Sequence, residues 1–130
     1  MFGRVILLVA LVLGWSAGFA QVTWQRAYGG YGVSEGHGIR ETSDHGFIVV
    51  GSTGSFGTGA SDIYVLKLDS LGVRQWSKTF GGPSIDQGWA IRPLADGGYV
   101  LTGYSDAGAG HGFDGLVMRL DAMGEATWEY

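Results

Sequence analysis

Apolar and polar residues follow each other along this chain in short runs whose period is that of β-strands. In Asp62–Asp69 the apolar side chains fall alternately on two sides, as they do in a strand. Phe47–Val50 is wholly apolar, which is typical of a short strand covered on both faces. No stretch after residue 20 carries the 3.6-residue period of an amphipathic helix over ten or more residues. We therefore predict an all-β mature chain.

Turn-forming residues separate these runs. Ser43–Gly46 and Asp96–Gly98 combine Asp with Gly, and for Asp96–Gly98 we expect a type I′ hairpin turn. Asp69–Gly72 predicts a further tight turn that ends in Gly. In chain order, the predicted strands are Val22–Tyr28, His37–Thr42, Phe47–Val50, Asp62–Asp69, Val73–Phe80, one opened by Ile91-Arg92, Tyr99–Thr102, Asp114–Asp121 and Glu125–Tyr130.

The chain repeats itself with a period of 52 residues and without a gap. Of the 52 residues that begin at Trp24, 14 are identical in the stretch that begins at Trp76. Six of them are glycines, which a glycine-rich chain matches partly by chance, but the others include a Trp and three Asp. Such a period is typical of repeat architectures. The positions that we expect to be structural in each repeat are Trp24, Trp76, Trp128, Gly29, Gly30, Gly81, Gly82, Asp44, Asp96, Asp69 and Asp121.

The first twenty residues have the features of a secretory signal peptide. Arg4 supplies the positive end, Val5–Leu13 is an unbroken apolar run, and Gly18–Ala20 offers small residues before a cleavage point. An uncleaved anchor is the alternative, but a span needs about 20 strongly apolar residues. We divide the chain into a signal peptide, 1–20, and a repeat region, 21–130, with repeats at 24–75 and 76–127 and a third starting at 128.

Composition narrows the classes of partner. The formal net charge is −4 and the eight basic residues are scattered, which argues against nucleic acid because phosphate binding needs a basic patch. The chain has no cysteine, so disulfides, thiolate metal sites and cysteine nucleophiles are excluded. We expect a secreted, periplasmic or cell-surface protein with no membrane span after cleavage of the signal peptide.

The repeat resembles a β-propeller repeat of roughly 50 residues found in secreted bacterial proteins. Its pattern is Trp, then aromatic-Gly-Gly, Gly-x-x-Ile, Asp-x-Gly-aromatic and Asp-x-x-Val-x-Lys/Arg-Leu-Asp-x-x-Gly, and it covers Trp24–Tyr130. Proteins of this family often carry a cell-surface or type IX secretion sorting domain. The resemblance implies four-stranded propeller blades and an extracellular location, and it implies little about activity.

Two complete four-stranded units and a lone N-terminal strand are fewer than the 4–8 blades of a closed propeller. We therefore expect a fragment of a larger propeller; a ring assembled from several short chains is the alternative. Because each blade buries its faces only against neighbouring blades, we also expect the mature chain alone to be an unstable monomer that self-associates through its exposed blade faces.

No group of residues in the sequence predicts catalysis. The repeated Asp residues fit turn capping better than calcium binding, because the spacing of a calcium loop is missing. His37, His45 and His111 do not recur in register, and no G-x-S-x-G elbow is present. The repeated Trp residues could form a sugar platform, but a fixed place in each repeat favours packing between blades. We predict no catalytic residue, no metal site and no cofactor, and the sequence assigns no binding residue.

These features favour a non-catalytic extracellular or cell-surface repeat module with a structural or binding role. Its partner would be a protein or a glycan. The alternative is part of a secreted glycan-acting propeller hydrolase, which needs two carboxylates directed into one cleft. The acids that are not fixed in repeated turns look isolated along the chain: Glu35, Glu41, Asp86 and Asp106.

Overall fold

The computed structural model of the chain describes residues 23–106 and 112–129, so the predicted signal peptide lies outside the described residues. These residues form eight strands and no helix, which confirms the all-β prediction, and they contain no helix that could cross a membrane. The strands are β1 (Ser34–Glu41), β2 (Phe47–Thr53), β3 (Asp62–Leu68), β4 (Arg74–Phe80), β5 (Asp86–Pro93), β6 (Tyr99–Asp106), β7 (Phe113–Leu120) and β8 (Ala126–Glu129).

The strands form two antiparallel sheets of four, each in sequence order, which we call sheet 1 (β1–β4) and sheet 2 (β5–β8). Neighbours in sequence pair antiparallel, which allows turns or loops to join them directly. In the β3–β4 turn, Asp69 Oδ1 accepts hydrogen bonds from the N–H groups of Leu71 and Val73. Gly72 follows with φ +72°, a left-handed conformation that glycine adopts without steric cost. The β7–β8 turn repeats this arrangement one period later, with Asp121 and Gly124.

The turn at Asp96–Gly98 differs from the predicted type I′ hairpin. The N–H of Gly97 donates to the Leu94 carbonyl at 3.1 Å, and the N–H of Leu94 donates to the Gly98 carbonyl at 2.8 Å. Gly97 has φ +87°, whereas Asp96 is not among the residues with positive φ. A type I′ turn needs positive φ at both central residues, so the prediction was wrong, and the loop is one residue longer than a two-residue turn.

The predicted strand Val22–Tyr28 was also wrong, because the described residues 23–30 form no ladder with any strand. One repeat later, β4 occupies the equivalent positions and pairs with β3 of its own sheet. Among the described residues nothing precedes 23–30 that could provide such a partner. A strand without a ladder leaves its backbone groups unpaired, so this N-terminal segment, residues 23–30, is held by its side chains instead.

Sheet 1 and sheet 2 stack face to face and share a core. Side chains of both sheets are fully or nearly fully buried between them, and Trp76 and Phe80 of β4 pack against this core. The shared core consists of Ile48, Val50, Ile63, Val65, Ile91, Tyr99, Leu101, Met118 and Leu120.

The two remaining faces of the stack differ. The outer face of sheet 1 buries Tyr64, Leu66 and Leu68 beneath Trp24 and Tyr28 of the N-terminal segment. On the opposite side, sheet 2 has a face that no described residue covers. This open face carries Val100, Thr102, Val117 and Trp128, of which Val117 is 40% and Trp128 is 41% exposed. The sheets therefore stack without closing on themselves, and one end of the stack is covered while the other is not.

Candidate functional site

An exposed aromatic surface crosses sheet 2 and continues onto sheet 1. It begins at two β-bulges that lie one repeat apart, at His37 in β1 and at Trp89 in β5. A bulge inserts an extra residue and redirects its side chain. The two redirected rings stack with centroids 4.4 Å apart and an interplanar angle of 12°. This contact joins the two sheets through residues that occupy the same position in successive repeats.

Two further aromatic rings extend this surface across sheet 2. Tyr104 on β6 lies 6.3 Å from Trp89, and Phe113 on β7 meets Tyr104 edge-on at 4.7 Å. Trp89 is 50% exposed and Phe113 is 59% exposed. Strand alternation and register place Tyr104 and Phe113 on the same side as Val117. The four rings His37, Trp89, Tyr104 and Phe113 therefore form one aromatic surface that continues into the open face.

A hydrogen bond of His37 fixes the edge of this surface. Its Nδ1 donates to the carbonyl oxygen of Gly88 at 2.7 Å, since a carbonyl can only accept. Its Nε2 lies 3.5 Å from a carboxylate oxygen of Glu35. The sequence predicted a strand that begins at His37 and an isolated acid at Glu35. The structure places His37 in β1, where its side chain is 13% exposed and is held by the Gly88 carbonyl of β5. Glu35 lies beside it and is therefore not isolated.

Asp86, which looked isolated in the sequence, lies at the junction of the two sheets beside Asp62 of β3. The two residues are 2% and 1% exposed. A Cβ atom on Gly81 would collide with Asp62 Oδ1 and lie 2.6 Å from Asp86 Oδ2. The two carboxylates therefore converge on the space above the Gly81 backbone, and the prediction that Asp86 stands alone was wrong. Sequence reasoning missed this pair because its members belong to different repeats.

The repeated acids Asp44 and Asp96 cap turns, as predicted, and also form ion pairs. Each accepts a hydrogen bond from the Gly two residues ahead, at 3.1 and 3.0 Å. Lys67 Nζ lies 2.8 Å from Asp44 Oδ2, and Arg119, one repeat later, pairs with Asp96. The Lys67 ammonium holds the pKa of Asp44 far below its ordinary value. The backbone N–H of Gly98, with a contribution from Arg119, lowers the pKa of Asp96.

Two of the three repeated Trp residues lie where packed surfaces meet. Trp24 covers sheet 1, and Trp76 packs between the two sheets. Trp128 lies on the open face and is 41% exposed. Of the paired glycines, Gly30 approaches its neighbours closely, since a Cβ there would lie 2.7 Å from Ser55 Cβ, whereas a Cβ on Gly82 would meet nothing within 4 Å. These residues are not gathered into one pocket, which fits structural positions that recur along a stack.

Metal-binding side chains are sparse in the described part of the chain. No three His, Cys, Asp or Glu side chains of residues 23–106 and 112–129 lie together as a group that could hold a metal ion. His111 lies outside these residues. Any cation site in this region would therefore have to combine fewer carboxylates with backbone carbonyls or water.

No family model matches the chain, and no curated protein is significantly similar to it.

Proposed function

We propose that this chain is a non-catalytic repeat module of an exported protein, built from propeller-type blades, whose open face binds another unit of the same repeat. The single observation that carries the proposal is that the face of sheet 1 equivalent to the open face is buried against sheet 2. Positions 48, 50 and 65 in sheet 1 correspond to positions 100, 102 and 117 in sheet 2. The side chains of Ile48, Val50 and Val65 are 0% exposed because sheet 2 covers them.

The partner that fits the open face is defined by the existing interface between the sheets. Sheet 2 presents Tyr99, Leu101 and Met118 to sheet 1, and a further unit would present the same kind of apolar face. Trp76 on β4 reaches across to sheet 2 and lies against Gly124. Trp128 holds the equivalent place on β8, so it would reach a following unit in the same way.

A second copy of this chain is a less suitable partner than a further unit in sequence. In a second copy, the face that would dock is the outer face of sheet 1, which Trp24 and Tyr28 already cover. Trp24 and Trp128 are equivalent in the repeat and would compete for one place. Association between copies would therefore need displacement of the N-terminal segment, which makes the expected self-association weak.

The proposal is tested by adding a unit. A chain in which residues 76–127 are duplicated in frame after residue 127 should unfold at a higher temperature, because stability in repeat proteins grows with each neighbour interface. The variant Val117→Asp provides the matched comparison. On the exposed face of the two-sheet chain it should cost about 0.5 kcal/mol or less; in the three-sheet chain it would bury an unpaired charge and cost at least about 2 kcal/mol. Equal costs in both chains would contradict the proposal.

Export is the second part of the proposal and rests on the sequence. Arg4, the apolar run after it and the small residues before Gln21 support cleavage by a signal peptidase. Mass spectrometry of the protein from a bacterial host should find Gln21 at the N-terminus. A membrane-bound product that retains Met1 would overturn this part and leave the repeat-module proposal untouched.

The aromatic surface supports one further candidate, a platform for a glycan. Exposed Trp, Tyr and Phe rings on one surface offer stacking faces to sugars and other flat apolar groups. In this case oligosaccharides should quench Trp89 fluorescence, and Trp89→Ala should abolish the response while Trp76→Phe retains it. If a panel of oligosaccharides leaves the fluorescence spectrum unchanged, the glycan platform is rejected, and the remaining role of these rings is to pack against another unit.

The hydrolase alternative gains no support from the carboxylates that converge. A glycosidase needs its two carboxylates on either side of a bound sugar. Asp62 and Asp86 are 1% and 2% exposed, so no sugar ring fits between them. Their burial points to a role in the interface between the sheets.

A further inference from the structure

The junction between sheet 1 and sheet 2 contains a buried site with two negative charges. Asp62 begins β3 of sheet 1, and Asp86 begins β5 of sheet 2. The backbone between them is tied by hydrogen bonds, with the N–H of Asp86 donating to the Ser61 carbonyl at 2.7 Å and the N–H of Ala60 donating to the Ser84 carbonyl at 3.0 Å. The two carboxylates are therefore held close together by the chain itself.

The hydrogen bonds of these carboxylates leave one oxygen without a partner. Asp86 Oδ2 accepts from the Gly82 N–H at 2.8 Å, and Asp86 Oδ1 accepts from the Ser105 hydroxyl. Asp62 Oδ2 accepts from the Gly59 N–H at 3.1 Å. Asp62 Oδ1 is buried and has no hydrogen-bond partner. This unpartnered oxygen is the one that shares the space above Gly81 with Asp86 Oδ2.

Two buried carboxylates with an unsatisfied oxygen are costly unless something positive lies between them. Within residues 23–106 and 112–129, no Lys, Arg or His side chain forms an ion pair with either one; the ion pairs there use other acids. A side chain at position 81 would fill the space, and the sequence has glycine at that position. The arrangement thus leaves a small space above Gly81, here called the cradle, which is bordered by the carboxylates of Asp62 and Asp86.

Backbone oxygens complete the surroundings of this cradle. The point where a Cβ of Gly59 would lie is 2.5 Å from the carbonyl oxygens of both Gly82 and Ser84, and 3.4 Å from Asp62 Oδ1. Carboxylate and backbone carbonyl oxygens together with water are the ligands of Ca²⁺. A cavity of about 500 Å³ is lined in part by Gly81, Gly82 and Asp86, so it borders the site on the side of Asp86.

We propose that Asp62 and Asp86 bind a Ca²⁺ ion that joins sheet 1 to sheet 2. Asp62 Oδ1 and Asp86 Oδ2 are the charged ligands, the Gly82 carbonyl is a neutral ligand, and water from the cavity fills the remaining positions. No metal site was predicted from the sequence, because the repeated turn acids lack the spacing of a calcium loop and the histidines do not recur in register. This site uses Asp62 of one repeat and Asp86 of the next, and it does not depend on the proposed function.

The other end of the stack offers an internal comparison for this site. One repeat before Asp86, Gly81 and Ser105 stand Ser34, Gly29 and Thr53. There the Ser34 and Thr53 hydroxyls bond each other at 2.9 Å and need no cation. The charge at the second junction is therefore not required by the fold of the repeat.

Calcium titration of the chain tests the proposal directly. Kd values of extracellular calcium modules are about 10⁻⁴–10⁻³ M, so thermal unfolding and calorimetry would be followed up to about 10 mM CaCl₂, with EDTA as the reference. We expect the unfolding temperature to rise with Ca²⁺ and calorimetry to show one site. Asp62→Asn and Asp86→Asn should each weaken Ca²⁺ binding by at least about tenfold, since loss of even an outer-shell partner has that effect.

The sign of the stability change separates a cation site from a structural pair. In EDTA, Asp62→Asn should unfold at the same or a higher temperature than the parent chain, because it removes one of two adjacent buried charges. In Ca²⁺ the order should reverse. Asp114→Asn is the matched control: Asp114 holds the position of Asp62 in sheet 2 and is exposed, so Ca²⁺ binding should be unchanged.

Two results would overturn the proposal. The first is a parent chain whose unfolding temperature and calorimetric trace do not respond to Ca²⁺. The second is an Asp62→Asn variant that binds Ca²⁺ as tightly as the parent. If either Asn variant fails to fold, Tb³⁺ luminescence of the parent chain and of Asp114→Asn, competed with Ca²⁺, decides between the outcomes: equal Ca²⁺-sensitive signals support the site, and no signal overturns it.

Discussion

The chain contains two interfaces built from equivalent residues. They differ in the backbone that carries the tryptophan, which is a paired strand in one interface and an unpaired segment in the other. At the first, Trp24 of the N-terminal segment meets Phe47 edge-on with centroids 5.8 Å apart. At the second, Trp76 of β4 meets Tyr99, one repeat later, at 6.1 Å and nearly the same angle. Each indole also lies against the left-handed glycine of the next turn, Gly72 or Gly124 in the two cases. The aromatic contact therefore has the same geometry whether the tryptophan belongs to a paired strand, as Trp76 does, or to an unpaired segment, as Trp24 does.

The two interfaces differ in how the backbone is held and in their polar groups. Trp24 and Arg26 donate side-chain hydrogen bonds to carbonyls of the β3–β4 turn, at 3.2 and 3.1 Å, whereas β4 is anchored by a full ladder to β3. The first interface has neutral hydroxyls where the second has Asp86. This comparison shows that the repeated Trp and Gly determine how units approach, while residues between them set the strength and chemistry of each contact.

The largest expected difference between the two interfaces is at the tryptophans. Trp76→Ala should lower the free energy of unfolding by about 3 kcal/mol, in the range for removal of a large packed aromatic side chain. Trp24→Ala should cost about half as much, because the segment that carries it has no ladder and is more exposed. Urea unfolding followed by circular dichroism measures both. If Trp76→Ala costs less than about 1 kcal/mol, Trp76 does not contribute to the shared core.

A smaller difference is expected at two equivalent glycines. A Cβ on Gly88 would collide with Val50 Cγ2 and lie 3.0 Å from Ile63 Cγ2, whereas a Cβ on Gly36 would meet only Val49 Cγ1, at 4.0 Å. Gly88→Ala should therefore cost about 1–3 kcal/mol through overpacking, and Gly36→Ala should change stability by no more than about 0.5 kcal/mol. Equal effects of the two substitutions in thermal unfolding would show that the sheets can separate at Gly88 to accept a methyl group.

The smallest difference is expected between the equivalent ion pairs of the two sheets. The Lys67 side chain is 6% exposed, while Asp44 is half exposed. Asp44→Asn should cost about 1 kcal/mol at pH 7, since the partly exposed partner limits the gain from the pair. Lys67→Met should cost less, because an apolar side chain of similar length tolerates burial. Asp96→Asn should have a smaller effect than Asp44→Asn, because Arg119 is much more exposed than Lys67.

The pH dependence of stability tests the same pair. The folded-state pKa of Asp44 is lowered from an unfolded value of 3.8. A depressed pKa adds stability that is fully present above that unfolded value and is lost as the pH falls below it. The parent chain should therefore be more stable than Asp44→Asn at pH 7, and the difference should shrink as the pH is lowered below about 4. A difference that stays constant across this range would mean that the carboxylate is not paired when folded.

Local pattern was enough to predict most of the strands and turns. Alternation in Asp62–Asp69 predicted β3 to within one residue, and the Asp and Gly residues of the turns were correctly assigned because turn conformations depend on adjacent residues. The 52-residue period also predicted that Trp76 would pack between units, and Trp76 lies against the core shared by the two sheets. These properties depend on residues close together in sequence or in fixed register, and one sequence contains that information.

Only the tertiary structure determined the features that depend on contacts between residues far apart in the sequence. Residues 23–30 have the pattern of a strand but form none, because a strand exists only when another backbone pairs with it. The stack of His37 on Trp89 needs two bulges one repeat apart, and bulges leave no mark in the apolar pattern. The convergence of Asp62 and Asp86 arises because packing of sheet 1 on sheet 2 brings the ends of β3 and β5 together, and no local spacing rule connects residues on different sheets.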